Sequence, residues 1–239
     1  MSEKSLKKPK KRTILSIAFI FLLMPLCLVT IWKIGGKSYY LGSVIMILGS
    51  MIPFFVNFEE KHPGARELVI IAVLSAIAMA SRVALAAIPF FSPIVALIII
   101  PGLALGPEVG FLVGTISAFA SNFVFGQGPW TPWQMFAYGM AGYIAGIFAN
   151  AGIVNGMQRI KVSIFGGLLA FILVGPLLDT ASAFLMINKA NAAGILAVYT
   201  SGIPVNAILA ASTVLTLVLF SKPMTEKLDR IKVKYGLNI

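Results

Sequence analysis

The chain has 239 residues, of which 59% are hydrophobic and 11% charged, and it carries a formal net charge of +11 at pH 7. Apolar runs long enough to cross a bilayer recur along its whole length, which excludes a soluble globular domain. Backbone polar groups at membrane depth must be satisfied within a helix, so the fold class is all-α and integral to the membrane, with helices joined by short loops.

In chain order, the pattern predicts eight transmembrane helices over residues 13–32, 40–58, 67–88, 93–105, 107–125, 133–150, 162–187 and 202–220. Residues 1–12 form a basic tail. The first apolar run is too long for a signal peptide and has no small-residue cleavage site after it, so it stays as a helix. It contains the one cysteine, Cys27, which has no partner for an intrachain disulfide. Residues 13–58 make a hairpin of two helices, residues 67–220 a six-helix core, and residues 221–239 a second basic tail.

The third predicted helix carries Ala72, Ala76, Ala80 and Ala84 at four-residue spacing. Such a strip admits a close backbone, either from within the bundle or from another protein. Arg82 lies ~22 Å beyond Glu67 along this helix, at ~1.5 Å per residue. The fourth helix, 93–105, is short for a span and is interrupted by Pro101, so it is tilted, broken or shielded by its neighbours. Glu108 follows Pro107 at a helix start, where a carboxylate complements the exposed N–H groups. Gly106, Gly110 and Gly114 on the fifth helix, and Gly142 and Gly146 with Ala137, Ala141, Ala145 and Ala149 on the sixth, predict internal packing.

Between those two helices runs Gly126-Gln-Gly-Pro-Trp-Thr-Pro-Trp-Gln134, with two Trp, two Pro and two Gln in nine residues. Its prolines oppose a regular helix and its glycines let the chain turn, so it is a shaped loop. On the seventh helix, Gly175-Pro176 should bend the rod and free carbonyls near Asp179, which lies ~25 Å beyond Val162. Arg82 and Asp179 therefore reach the same outer level, where they either pair with each other or line a pocket.

Charge sets the orientation. With both termini cytoplasmic, fifteen of the 19 Lys and Arg fall inside, in residues 4–12, at Lys61 and Arg66, at Arg159 and Lys161, and from Lys222 to Lys234. This distribution explains the basic balance by topology and anionic lipid rather than by nucleic acid. The loop 126–134 then lies outside. Enzymatic chemistry lacks its parts: the one histidine, His62, sits in an inner loop, and there are no paired cysteines, zinc motif or phosphate loop. No resident cofactor or metal is expected.

The run from Glu67 to Gly146, through Pro101-Gly-Leu-Ala-Leu-Gly-Pro-Glu108 and Ser121-Asn-Phe-Val-Phe-Gly-Gln-Gly-Pro-Trp-Thr-Pro-Trp-Gln-Met-Phe136, resembles the S component of an energy-coupling factor (ECF) vitamin transporter. The resemblance covers residues 67–220 and implies a multi-pass subunit of the plasma membrane. Such a subunit takes a vitamin or related micronutrient from outside and topples within a complex of a transmembrane T component and two cytoplasmic ATPases. By position it carries the family's A-x-x-x-A signature, which meets the T component, to Ala72, Ala76 and Ala80. The two helices of residues 13–58 depart from the family pattern, as a lipid-facing accessory or as a restraint on tilting.

The loop most resembles the cobalamin branch, and Trp130, Trp133 and Tyr138 offer flat surfaces for a corrinoid, although an interfacial belt uses the same residues. The candidate substrate-binding set is Asn122, Gln127, Trp130, Thr131, Trp133, Gln134, Tyr138, Arg82 and Asp179. A smaller vitamin such as riboflavin, a stand-alone secondary transporter, and an assembly subunit are the other readings.

Overall fold

The computed structural model describes residues 38–60, 63–187 and 192–237. The predicted first helix, the N-terminal tail, Lys61, His62 and Lys189 lie outside the described residues. The helices are α1 (Ser38–Glu59), α2 (Ala65–Ala84), α3 (Ile94–Leu105), α4 (Pro107–Phe125), α5 (Thr131–Asn150), α6 (Arg159–Leu169), α7 (Gly175–Met186) and α8 (Ala192–Tyr235), with a π-helical turn at Ala170–Val174 joining α6 to α7. Among the described residues, four rods, α2, α4, α6 through α7, and α8, are long and apolar enough to cross a membrane.

Local chemistry sets several helix ends. The Glu67 carboxylate accepts a hydrogen bond from the Gly64 N–H at 3.0 Å, which satisfies a donor at the start of α2. Gly106, at φ 107°, makes the sharp passage from α3 to α4, and Pro107 then occupies the first turn, where its missing N–H costs nothing. Pro132 plays the same part in α5, so that helix begins at Thr131 rather than at the expected residue 133.

The short helix α3 is shielded. Its twelve residues span only ~18 Å, and it is buried from Ile94 through Gly102, between α2, α4, α5 and α8. Being apolar all round, it has no face for water and is the centre of the main core.

Glycine brings three helices to backbone contact. A Cβ at Gly110 of α4 would lie 2.7 Å from the Gly102 Cα of α3 and 2.7 Å from the Gly142 carbonyl carbon of α5. The glycine strips of the predicted fifth and sixth helices are therefore internal packing. Thr115 adds a hydrogen bond to the Met135 carbonyl at 3.3 Å across α4 and α5.

Pro176 does not break its rod. The Gly175 N–H reaches back to the Ala170 carbonyl, and this widened turn just ahead of the proline makes room for its ring. Thr180 Oγ1 donates to the Pro176 carbonyl at 2.6 Å, so that carbonyl is not left free.

Two boundaries move outward. The last helix begins at Ala192, not near residue 202, and continues through Pro204 and Pro223 to Tyr235. Part of the expected basic tail, residues 221–235, is thus helical, with Ser221, Thr225 and Leu228 buried on one face and Lys227, Arg230 and Lys234 exposed. The predicted third helix ends at Ala84 rather than at residue 88, and Ser92 of the following segment is tied to α8 by its carbonyl, which accepts from Ser212 Oγ at 2.8 Å.

Helix α1 is part of the packed bundle. Its Phe54 is 1% exposed, stacks on Phe111 of α4 at 4.0 Å between centroids, and meets Tyr143 of α5 edge-on at 4.7 Å. Ile47, Met51 and Phe54 join Phe111, Trp133, Phe136, Met140, Tyr143, Ala181 and Phe184 in a second core.

Candidate functional site

The ends of α2 and α4 meet the start of α5 around one hydrogen-bonded chain of polar side chains. Arg82, in the last turn of α2, donates through Nη1 to Ser121 Oγ at 2.6 Å and to Asn122 Oδ1 at 3.2 Å. Its guanidinium also lies over the Phe125 ring, 4.5 Å from the centroid. Asn122, 1% exposed, donates through Nδ2 to Thr131 Oγ1 at 3.1 Å and to Gln134 Oε1 at 2.8 Å.

The loop closes on the same hydroxyl. Thr131 Oγ1 accepts from the Gly128 N–H at 3.1 Å and donates to Gln127 Oε1 at 3.0 Å, while Gln127 Nε2 donates to the Phe119 carbonyl at 3.0 Å. With the bond from Asn122, the hydroxyl uses its donor and both lone pairs. A loop held by its own side chains in this way is preorganised, so a ligand meeting it would cost little ordering.

Arg82, Asn122, Gln127, Thr131 and Gln134 are therefore brought together as one network. Among the described residues, its bonds leave the Gln134 amide nitrogen, the second N–H of Gln127 Nε2 and the remaining guanidinium N–H groups of Arg82 uncommitted. Trp130 stands beside them, 39% exposed, with its ring over Gly128.

The other expected members lie elsewhere. Trp133 is 1% exposed and stacks on Phe184 of α7 at 5.6 Å, inside the second core. Tyr138 is buried in the main core. Both rings are buried because Trp133 and Tyr138 lie on the inward face of α5. Arg82 and Asp179 do not pair. Asp179 instead accepts from Asn206 Nδ2 of α8 at 2.7 Å, and Gly175 and Gly202 leave room for these side chains, since a Cβ on either would meet them. One residue further on, Thr180 and Tyr199 hydroxyls lie 2.7 Å apart.

Ser121, Asn206 and Tyr199 were not among the expected site residues. Asn206 had a visible signal, being a polar amide within an apolar helix one turn after Gly202. Ser121 and Tyr199 had none, because their roles depend on which helix faces which.

A hollow of about 620 Å³ lies at the opposite end of the bundle, lined by Met157, Gln158, Arg159, Ile160, Lys161 and Lys222. The direction of the rods fixes this: Gly156 packs on Thr225 and Arg66 on Tyr235 there, far along α8 from Asn206.

Comparison with known proteins adds a family. The family model described as ECF-type riboflavin transporter, S component, matches residues 64–226. No curated protein and no solved structure matches the chain.

Proposed function

This chain belongs to the family of S components of ECF-type riboflavin transporters and is a multi-pass membrane protein, and from that premise we propose that it captures a vitamin from outside the cell for ATP-driven uptake. The family match over residues 64–226 is the observation that carries this reading. The partners are a T component and two cytoplasmic ATPases in the plasma membrane. Arg66, Arg159, Lys161 and the basic residues from Lys222 onward all belong to one end of the bundle, which the positive-inside bias makes cytoplasmic. The network around Asn122 is then at the outer end. Its loop is the binding element, with Trp130 supplying the flat contact and Gln127, Gln134 and Arg82 the polar ones.

Two vitamins compete. Cobalamin is favoured by the loop, and riboflavin by the name of the family. A corrinoid needs a broad flat cover, and the burial of Trp133 and Tyr138 takes away two of the three rings that could provide it. Riboflavin is the first ligand to test. The full chain, purified without partners, is expected to carry a stoichiometric vitamin visible by absorbance and mass spectrometry; a bare protein that sustains ion-coupled flux alone is instead a secondary transporter.

The docking face for the T component is the outer strip of α2. Ala72, Ala76 and Ala80 are exposed, flanked by the exposed Leu68, Val69, Val73 and Ile77. Among the described residues, α1 packs on α4, α5 and α7 and leaves this strip uncovered. Small side chains there let a partner helix approach closely and gain dispersion contacts that lipid does not offer. Ala76→Trp and Ala80→Trp are expected to weaken assembly with the T component at least tenfold in a pull-down while ligand binding by the free subunit stays unchanged. Normal assembly of both variants would move the docking face elsewhere.

A further inference from the structure

We propose that the hollow between the start of α6 and the C-terminal part of α8 binds the phosphate headgroup of an anionic phospholipid. The proposal rests on the assignment of that end to the cytoplasmic membrane face.

Three cations from two helices, Arg159, Lys161 and Lys222, line the hollow. Among the described residues, of these three only Lys222 has an acidic partner, Glu226, one turn along α8 at 3.9 Å, and both side chains are well exposed. Arg159 and Lys161 form no ion pair among the described residues. They also sit on the first turn of α6, whose N-cap, Gln158, makes no side-chain hydrogen bond to it, so the opening N–H groups of the helix add to the field favouring an anion.

The surroundings select a lipid over a free anion. Ile160, Ile164 and Leu168 are exposed at four-residue intervals along α6, starting in the hollow itself. On α8, Leu215, Val218, Leu219 and Phe220 are exposed just before Lys222. The two helices touch through Gly166 against Leu217 and Gly167 against Val214, so these apolar rows flank one seam. A phosphate seated among the cations would have its acyl chains on those rows. Inorganic phosphate uses none of that surface, and an acidic protein segment would leave it uncovered. A basic concavity at the cytoplasmic ends of membrane helices is the arrangement that holds anionic headgroups.

Native mass spectrometry of the full chain, offered phosphatidylglycerol and phosphatidylcholine with the same acyl chains, tests this. The wild type is expected to retain phosphatidylglycerol in preference, and millimolar inorganic phosphate should not displace it. Arg159→Ala with Lys161→Ala should cut retention about tenfold or more. Arg159→Lys with Lys161→Arg should keep it, as should Lys232→Ala with Lys234→Ala, which removes equal charge further along α8. Equal retention of the two lipids, equal loss in both alanine pairs, or displacement by inorganic phosphate would each overturn the lipid site. Melting temperatures of the same samples separate loss of the site from loss of the fold. The measurement is blind to which side the hollow faces, whereas labelling of a single cysteine at the exposed Asn155, in a Cys27→Ser background, reports the side directly; failure of the orientation and failure of the lipid site are thereby distinguished.

Discussion

Replacing Gly142 by alanine is expected to lower the melting temperature of the purified protein by about 10 °C, with aggregation at physiological temperature for Gly142→Leu. The new Cβ would land on the Gly110 carbonyl group and within 2.8 Å of the Gly110 Cα. Those are backbone atoms of another helix, so nothing short of separating α4 from α5 relieves the clash. Overpacking typically costs about 1–3 kcal/mol, and a rigid backbone obstacle belongs at or above the upper figure. At ~2–4 °C per kcal/mol for a chain of this size, a loss of about 10 °C follows. Gly49→Ala is the matched control. Nothing lies within 4 Å of a Cβ at that position on α1, and alanine is the better helix former by about 1 kcal/mol. Its melting temperature should be unchanged or slightly higher. If Gly142→Ala melted like the control, the three-helix crossing would not be a close backbone contact.

That crossing was legible in the sequence because its signal is spacing alone: Gly106, Gly110 and Gly114 fall on one strip whatever the helix packs against. The shortness of α3 was legible too, with tilting, breaking and shielding all open, but which of the three held was not. A helix such as Ile94–Leu105, apolar on every side, gives no periodicity from which to read a buried face. The ends of α8 were missed for two reasons. Thr200-Ser201-Gly202 ahead of Pro204 reads as a helix start, and Pro223 among lysines reads as a tail, whereas burial of Ser221, Thr225 and Leu228 against the bundle keeps the chain helical.

Within the candidate site, residue types were easier to find than their neighbours. Asn122, Gln127, Thr131 and Gln134 lie within thirteen residues around one turn, so the chain itself brings them together. Arg82 and Asp179 come from α2 and α7, and equal depth along two helices says nothing about rotation about their axes. Arg82 faces α4 and Asp179 faces α8. The pairing that their charges suggested gives way to hydrogen bonds with serine and asparagine. The same rotation governs α1: its length and hydropathy marked a membrane helix, but only side-chain packing makes Phe54, Phe111 and Tyr143 one cluster.

Trp130→Ala and Trp133→Ala, three residues apart in one loop and helix start, are expected to fail in opposite ways. Trp133 is enclosed by the second core and stacked on Phe184 with an interplanar angle of 28°. Its truncation removes a large buried side chain and the contact holding α5 to α7, at a cost of about 3–5 kcal/mol. The variant should melt about 6–20 °C below wild type, and Trp133→Phe should recover part of that loss. Trp130 has little such support, being 39% exposed beside the Asn122 network. Trp130→Ala should therefore melt near wild type. Its affinity for riboflavin, measured by quenching of the vitamin's fluorescence, should nevertheless fall tenfold or more, since the ligand would lose an aromatic contact worth about 0.5–1.5 kcal/mol beyond its area term. Gln127→Ala should behave similarly if its amide reaches the ligand, although it also releases Thr131 and the Phe119 carbonyl. Unchanged affinity in Trp130→Ala and Gln127→Ala, for riboflavin and for cobalamin alike, would remove the loop from the binding site and leave the membership in the family standing. A melting loss in Trp130→Ala as large as that of Trp133→Ala would mean that the loop is a structural clasp, and a fall in affinity would then not assign Trp130 to the ligand.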